Sequence, residues 1–548
     1  NRVRCKAVRM NKAAFSGPPS DACALGTEGS EGPDRVTRYS YNNFDLVLAE
    51  ERAVGTTLAQ TYVTNQYELD TRLLRFQTDA NGNKTELQYD QHQRLSKRIY
   101  PSPTSAGSVN ASDYNQYDYD NNGNVDFERK RNGQTINYTI DANNRVTFKN
   151  LSDNTHSADI TYNYDLRGLT LSSCFGSSDN CVGTGSGETN TFTGFGELQS
   201  RNSRMFGVDR SLSYLYDRDG NRTRITHPGS VSFSYGFDGL NRMCTLAEGT
   251  TAAPCDGTSH MLKVTYRPSG GRLDLLRPGG ATTNIDLDNV LRLESFTQNF
   301  SGTTHDLLNE FEYNPANQIR VLSQSNSLYT YDQLGSRTGT YGANGLNQIS
   351  SIAGVSLTHD ANGNVTNDGA GMTYSYDMEN HLVGTGGLKA STLAYDVLGR
   401  LAQIVIDGNT TQLHYDGDAL VGEYLNGPLS RRYVHGDQVD EPLVQYNGTS
   451  VGASFRRYLH ADHLGSIIAH SDSAGTAIHT NSYDVYGVPK TTNDVRFGYT
   501  GQAWIPQLGL NYYKARIYSP KLGRFLQTDP IFYADDMYLY GYVGSDPG

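Results

Sequence analysis

A short pattern returns along this chain: aromatic residues at alternate positions, then Asp, two residues, Gly or Asn, and then Asn or Arg. It reads Tyr117-Asp118-Tyr119-Asp120-Asn121-Asn122-Gly123-Asn124, and again Tyr214-Leu215-Tyr216-Asp217-Arg218-Asp219-Gly220-Asn221-Arg222. Further copies begin at Asp165 and Asp396, and weaker ones at Asp79, Asp141, Asp238, Asp332, Asp360 and Asp377. Adjacent copies start 17 to 24 residues apart. Side chains alternate along a strand, so Tyr-x-Tyr sets two rings on one face. Asp accepts backbone N–H groups two residues on, and Gly takes the left-handed conformation that closes a bulged hairpin. About 20 residues make two strands and two connections, so the copies predict one continuous antiparallel sheet with Tyr rings in stripes. Between roughly 245 and 330 the pattern thins, but Leu262-Lys263-Val264-Thr265-Tyr266 still alternates. That stretch reads as diverged repeats and not a helical insertion.

Composition agrees. The 57 Gly and 38 Tyr against one Trp suit turns and half-wet strands, not amphipathic helices. The net charge of -12 argues against an exterior built for nucleic acid. No run approaches the 18 or so apolar residues of a membrane span. The chain starts at Asn1 in mid-pattern without an apolar signal segment, which suggests a fragment of a longer polypeptide.

The six cysteines fall in local couples, Cys5 with Cys23, Cys174 with Cys181 and Cys244 with Cys255, in Gly/Ser/Asp-rich loops. That is the layout of hairpin-tip disulfides, which would place the protein in an oxidising compartment, secreted or at the cell surface. Six free thiols are the alternative. Zinc spacing is missing.

Two other constellations were weighed for metal. Asp217-Arg218-Asp219-Gly220-Asn221 resembles a calcium loop, but its Gly is fourth, not sixth, and Pro228 stands where the closing Glu belongs. His460 and His463 are three apart and would point to opposite faces of a strand. With no nucleophile elbow, phosphate loop or dinucleotide fingerprint either, no metal and no cofactor is expected.

The last 95 or so residues change character. They run Arg457-Tyr458-Leu459-His460-Ala461-Asp462-His463-Leu464-Gly465-Ser466, then Tyr483-Asp484-Val485-Tyr486-Gly487. The block Leu508-Gly509-Leu510-Asn511-Tyr512-Tyr513-Lys514-Ala515-Arg516 follows, and then Gly523-Arg524-Phe525-Leu526-Gln527-Thr528-Asp529-Pro530. This closely resembles the Rhs repeat-associated core domain of bacterial polymorphic toxins, and the upstream copies resemble the tyrosine–aspartate (YD) repeats that precede it. The resemblance implies an all-β hollow shell, a long spiralling antiparallel sheet with the core domain plugging inward. The C component of ABC-type toxin complexes and the teneurin ectodomain are similar in architecture. It divides the chain into an irregular lead-in (1–35), a repeat shell (36–455) and the core (456–548).

In that family the shell sequesters a C-terminal toxin, which the core releases as an aspartyl autoprotease. Here the implied catalytic residues are Asp529 and Asp546, a carboxylate pair of which one serves as base and one as acid, with Arg524 holding one ionised. The other reading of each Asp is a turn cap before Pro. The family's usual Gly is Phe532 here, its usual Asn is Tyr538, and its Asp-Pro-x-Gly-Leu cleavage signal does not occur. The expected partners are therefore the chain's own toxin domain, which this sequence lacks, and an N-terminal shell half or delivery module. A surface adhesion protein whose Tyr stripes stack on glycans is the rival expectation.

Overall fold

The computed structural model describes residues 2–176, 181, 185–333, 340–534 and 537–545. The repeat folds as a self-locking hairpin. In the copy at Asp141, the N–H groups of Asn143 and Arg145 both donate to Asp141 Oδ1, at 2.8 and 3.0 Å. Asn144 occupies the left-handed region at φ 62°, where other copies place Gly, such as Gly123 at 91°. The fifth residue then ties one copy to the next. Arg145 donates to Asp141 Oδ2 and lies 4.5 Å over the ring of Tyr164. That Tyr hydroxyl donates to the carbonyl of Val146, 2.8 Å away.

The same unit repeats at Asp90–Arg94–Tyr119, Asp238–Arg242–Tyr266, Asp288–Arg292–Tyr313 and Asp396–Arg400–Tyr415. Where Asn replaces Arg, it links two turns: Asn124 donates to Asp120 and to Asn144. The Asp217 carboxylate is likewise taken up by its own turn, through Asp219, Asn221 and the Asn221 side chain. A register shift precedes the Tyr in these hairpins, as between Asn163 and Tyr164.

These hairpins build a 25-stranded antiparallel meander from Cys5–Val8 to Ile319–Gln324. The stretch from 245 to 330 is part of it, with turns at Asp288 and Asn314. The expectation of one continuous sheet is corrected, because the meander stops after Gln324. A three-stranded sheet covers Tyr341–Ala343, Ile349–Ile352 and Val355–Ser356. A 13-stranded meander then runs from Thr358–His359 to Ala477–Thr480, and a four-stranded sheet from Ala503–Ile505 to Arg524–Phe525. The break falls where Ser325-Asn326-Ser327 ends the alternation and starts a 3-10 turn. The copy expected at Asp332–Ser336 runs into residues outside the description.

The first and last strands of the long sheet do not pair with each other, so hydrogen bonds do not close it into a barrel. Residues 1–35 are largely irregular, except that Cys5–Val8 pairs with Arg35–Tyr41 as the first strand. All three cysteine couples are disulfides. Among the described residues no helix is long and apolar enough to cross a membrane.

The second meander lies along the first in the same direction, like the next turn of a spiral. Asn347 bonds Asp79 across 268 residues, and Ser157 bonds Asp377 across 220. Tyr214 donates to Asp416 across 202, and Lys490 meets Asp332 across 158. The separation shrinks along the chain, so the later turn spends fewer residues to cover the same length of the earlier one. A shared core joins the two: Leu212, Phe233 and Leu246 pack with Val434, Val444 and Tyr446. Phe233 and Tyr446 are fully buried, and truncating either to Ala would cost roughly 3–5 kcal/mol.

Candidate functional site

The core-like block does not begin a new fold. Asp462, Asp472 and Asp484 each cap a hairpin of the same kind, with Gly465, Gly475 and Gly487 at positive φ. The 13-stranded sheet continues across residues 455 and 456, with Pro442–Asn447 paired to Arg456–Ala461 through a connection that carries a 3-10 turn at Ala453–Phe455. His460 lies on strand Arg456–Ala461, fully buried, between Gln298 Oε1 and Ser471 Oγ. His463 is the second turn residue and packs edge-on to Phe311. The reading of these two as opposite faces of one strand is thus replaced by a strand residue and a turn residue. Asp462-His463-Leu464-Gly465 spells the repeat turn in the sequence itself.

The predicted site residues sit beyond this block. Strands Leu510–Tyr513, Arg516–Ser519 and Arg524–Phe525 pack Tyr518 and Phe525 against Tyr499 and Tyr542. Asp529 follows. Its Oδ1 accepts the N–H of Ile531 at 2.9 Å, and its backbone carbonyl accepts that of Phe532 at 3.1 Å. Its Oδ2 pairs with Arg516 at 2.9 Å, and Arg516 lies flat on the Phe525 ring at 3.7 Å.

The cation on Asp529 is therefore Arg516, a residue the sequence reading did not single out. Arg524 instead points between Tyr538 and Tyr341, 4.5 and 5.7 Å from the ring centres. Strand alternation carries the signal for Arg516, which faces Phe525 across the short sheet. Asp546 lies outside the described residues, so the structure says nothing of a pair with Asp529.

After Asp529 the chain turns back to the beginning of the molecule. Phe532 is buried against Arg98 at 3.9 Å and Tyr100 at 5.7 Å, both on strand Leu95–Pro101. Tyr540 donates to the carbonyl of Gly363 at 2.6 Å, and Arg131 of the first sheet reaches the carbonyl of Asn362. Arg131 is itself held by Asp113 at 2.6 Å. Phe532 has φ 58°. The position where the core family usually has Gly therefore keeps the left-handed conformation that favours Gly, with a Phe ring anchored in place of conformational freedom.

Residues 282–547 match the Teneurin YD-shell family. Over that range, just under half of its length, the chain is similar to the YD-shell. The Asp-turn lock occurs from Asp79 onward, so the repeat architecture extends upstream of the matched range. The crystal structure of TcdB2-TccC3-Cdc42 superposes with a TM-score of 0.71 at 13% identity, over 94% of this chain and 31% of that one. The Photorhabdus luminescens Tc holotoxin pore superposes at 0.55, with 14% identity, over 94% and 33%.

Among curated proteins, the tRNA3(Ser)-specific nuclease WapA of Bacillus spizizenii is 32% identical over 248 residues, 40% of this chain and 10% of that protein. Double-stranded DNA deaminase toxin A of Burkholderia cenocepacia is 22% identical over 531 residues, 87% and 33%. The chain thus spans a tenth to a third of the length of these relatives.

The Tyr stripes that prompted the glycan reading are engaged internally. Ring after ring lies under an Arg and donates its hydroxyl to a neighbouring carbonyl, as Tyr119, Tyr164, Tyr266 and Tyr313 do. Glycan binding by these stripes has no support.

Proposed function

We propose that this chain is the wall and inner arm of a toxin-delivery shell, which sequesters a C-terminal toxin domain in the longer polypeptide. The observation that carries this reading is the return of residues 526–534 and 537–542 to the seam between the two meanders, with Phe532 on Leu95–Pro101 and Tyr540 on Gly363. A domain following this arm starts from the seam. The toxin and nuclease names of the relatives point the same way, and three disulfides suit an extracellular protein.

In this reading Asp529, with Asp546 and Arg524 in the family-implied roles, carries out autoproteolysis in the parent protein. A water attacks the peptide carbonyl as one carboxylate takes its proton and the other protonates the leaving nitrogen. Arg516 positions Asp529 by the ion pair on Oδ2.

The test uses the parent polypeptide with its downstream domain. Limited proteolysis should leave that domain intact while the same domain expressed alone is digested, and equal digestion of both sinks the encapsulation reading. On a denaturing gel, Asp529→Asn should leave the parent uncut, and normal cutting removes Asp529 from the mechanism.

A further inference from the structure

Among the described residues, one cation in the seam between the meanders makes no ion pair with a carboxylate. Arg277 follows strand Arg272–Leu276 and is only 6% exposed. A guanidinium carries five N–H donors in a fixed fork. Nη1 reaches Thr283 Oγ1 at 3.0 Å and the Leu275 carbonyl at 3.5 Å. Nη2 reaches the Leu459 carbonyl at 3.5 Å, and Nε has no hydrogen-bond partner.

The surrounding carboxylates are committed elsewhere. Glu441 and Asp437 both pair with Arg272, and Asp440 pairs with Lys514. Asp462 Oδ1 accepts the N–H groups of Leu464 and Ser466. Burial pulls the Arg277 guanidinium down to about 10, and the more distant Tyr458 and Glu441 offset this only in part. An isolated buried charge is costly, and a protein that keeps one commonly supplies its partner from outside.

Arg277 lines a cavity of about 370 Å³ in the same seam. Its walls include Leu275, Ile285, Phe296 and Leu459. An inorganic anion would leave those walls uncovered, and a phosphate would bring a second negative charge to a single unpaired cation. One carboxylate on an aliphatic body matches both the charge and the lining, in a chamber of small-ligand size. We infer that the Arg277 cavity binds a medium-chain aliphatic carboxylate, its head on the guanidinium and its tail between Leu275, Ile285 and Phe296.

Calorimetric titration of the whole chain with octanoate, octanol and acetate tests this. Octanoate should bind at one site per chain. Octanol and acetate should each bind at least about tenfold more weakly, since one lacks the charge-assisted bond and the other the tail. Arg277→Gln should bring octanoate down to the level of octanol, while Arg277→Lys keeps part of the difference. Ala461 also lines the cavity, and Ala461→Leu, which narrows it and leaves the cation in place, should weaken octanoate binding at least about tenfold. The inference is overturned if wild type does not bind octanoate, if octanol matches it, or if Arg277→Gln leaves it unchanged. Should Arg277→Gln not fold by circular dichroism, unweakened octanoate binding by folded Ala461→Leu overturns it equally.

Discussion

Mild acid should open this fold, and buried histidines set the window. Burial holds His414 down to about 3, with Arg210 and Arg400 adding to the effect. His470 is held to about 4 by burial and then His479, and His359 to about 4 by burial and then Arg131. His227, His435 and His460 move in the same direction, burial first. The unfolded chain protonates each ring near its ordinary value of about 6.5 while the folded chain does not. More protons on the unfolded state means stability that falls as pH falls below about 6.5.

At about pH 4.5 each of the three rings with a stated value contributes a loss of roughly 2–3 kcal/mol, together about 8, against total stabilities of roughly 5–15 kcal/mol. Two groups oppose this. Burial lowers His381, but the bond and charge of Asp377 outweigh it and raise the ring, while burial raises Asp462. Both contribute stability at low pH that is lost as pH rises, so they blunt the trend without reversing it. The turn carboxylates, such as Asp141 and Asp238, are lowered and lose their contribution only below about pH 4.

The assay is urea unfolding followed by tyrosine fluorescence at constant ionic strength from about pH 7.5 to 4.5. Both ring nitrogens of His414 are buried without hydrogen-bond partners, so His414→Leu should be near neutral at pH 7.5. It should recover roughly 2–3 kcal/mol of the loss at pH 4.5. A flat stability between these limits, or a full acid loss retained by His414→Leu, would refute the reasoning.

Other perturbations separate the parts of the fold. Asp396→Ala strands Arg400, which Asp396 and Glu188 hold in a buried site, and should cost about 3 kcal/mol; Asp120→Ala, the same lock on the surface, should show a clearly smaller shift in urea midpoint. Phe532→Gly should be less damaging than Phe532→Ala, by about 1 kcal/mol, because φ 58° suits only Gly once the ring's packing is lost; the ordinary ranking in thermal melts would remove the strain argument. Intact mass should show no alkylation before reduction and six alkylated thiols after it, with each opened disulfide lowering stability by roughly 2–3 kcal/mol.

The parts of this architecture that are local in sequence are the parts the sequence made legible. Asp141 and Asn144 act within four residues, so their turn follows from side-chain chemistry alone, and the same holds for the cysteine couples. The coupling of Arg145 to Tyr164 was readable in principle, because it repeats at the period of the copies, yet it needs the sheet register before the two can be seen to meet. Asp462 was hidden by its histidine neighbours, which drew a metal reading onto an ordinary repeat turn.

What could not be read is the seam. Its contacts join residues from 268 down to 158 apart, and that separation drifts, so no fixed period marks Asp79 as the partner of Asn347 or Asp332 as that of Lys490. The same drift explains why the surroundings of Arg277 and Phe532 cannot be read from the sequence. Each is an ordinary residue on its own strand or turn, and becomes unusual only where one turn of the sheet is laid against another. A repeat of local locks therefore specifies the wall, while its winding specifies the enclosed chemistry, and changes that alter the winding should disturb Arg277 and Phe532 before any hairpin opens.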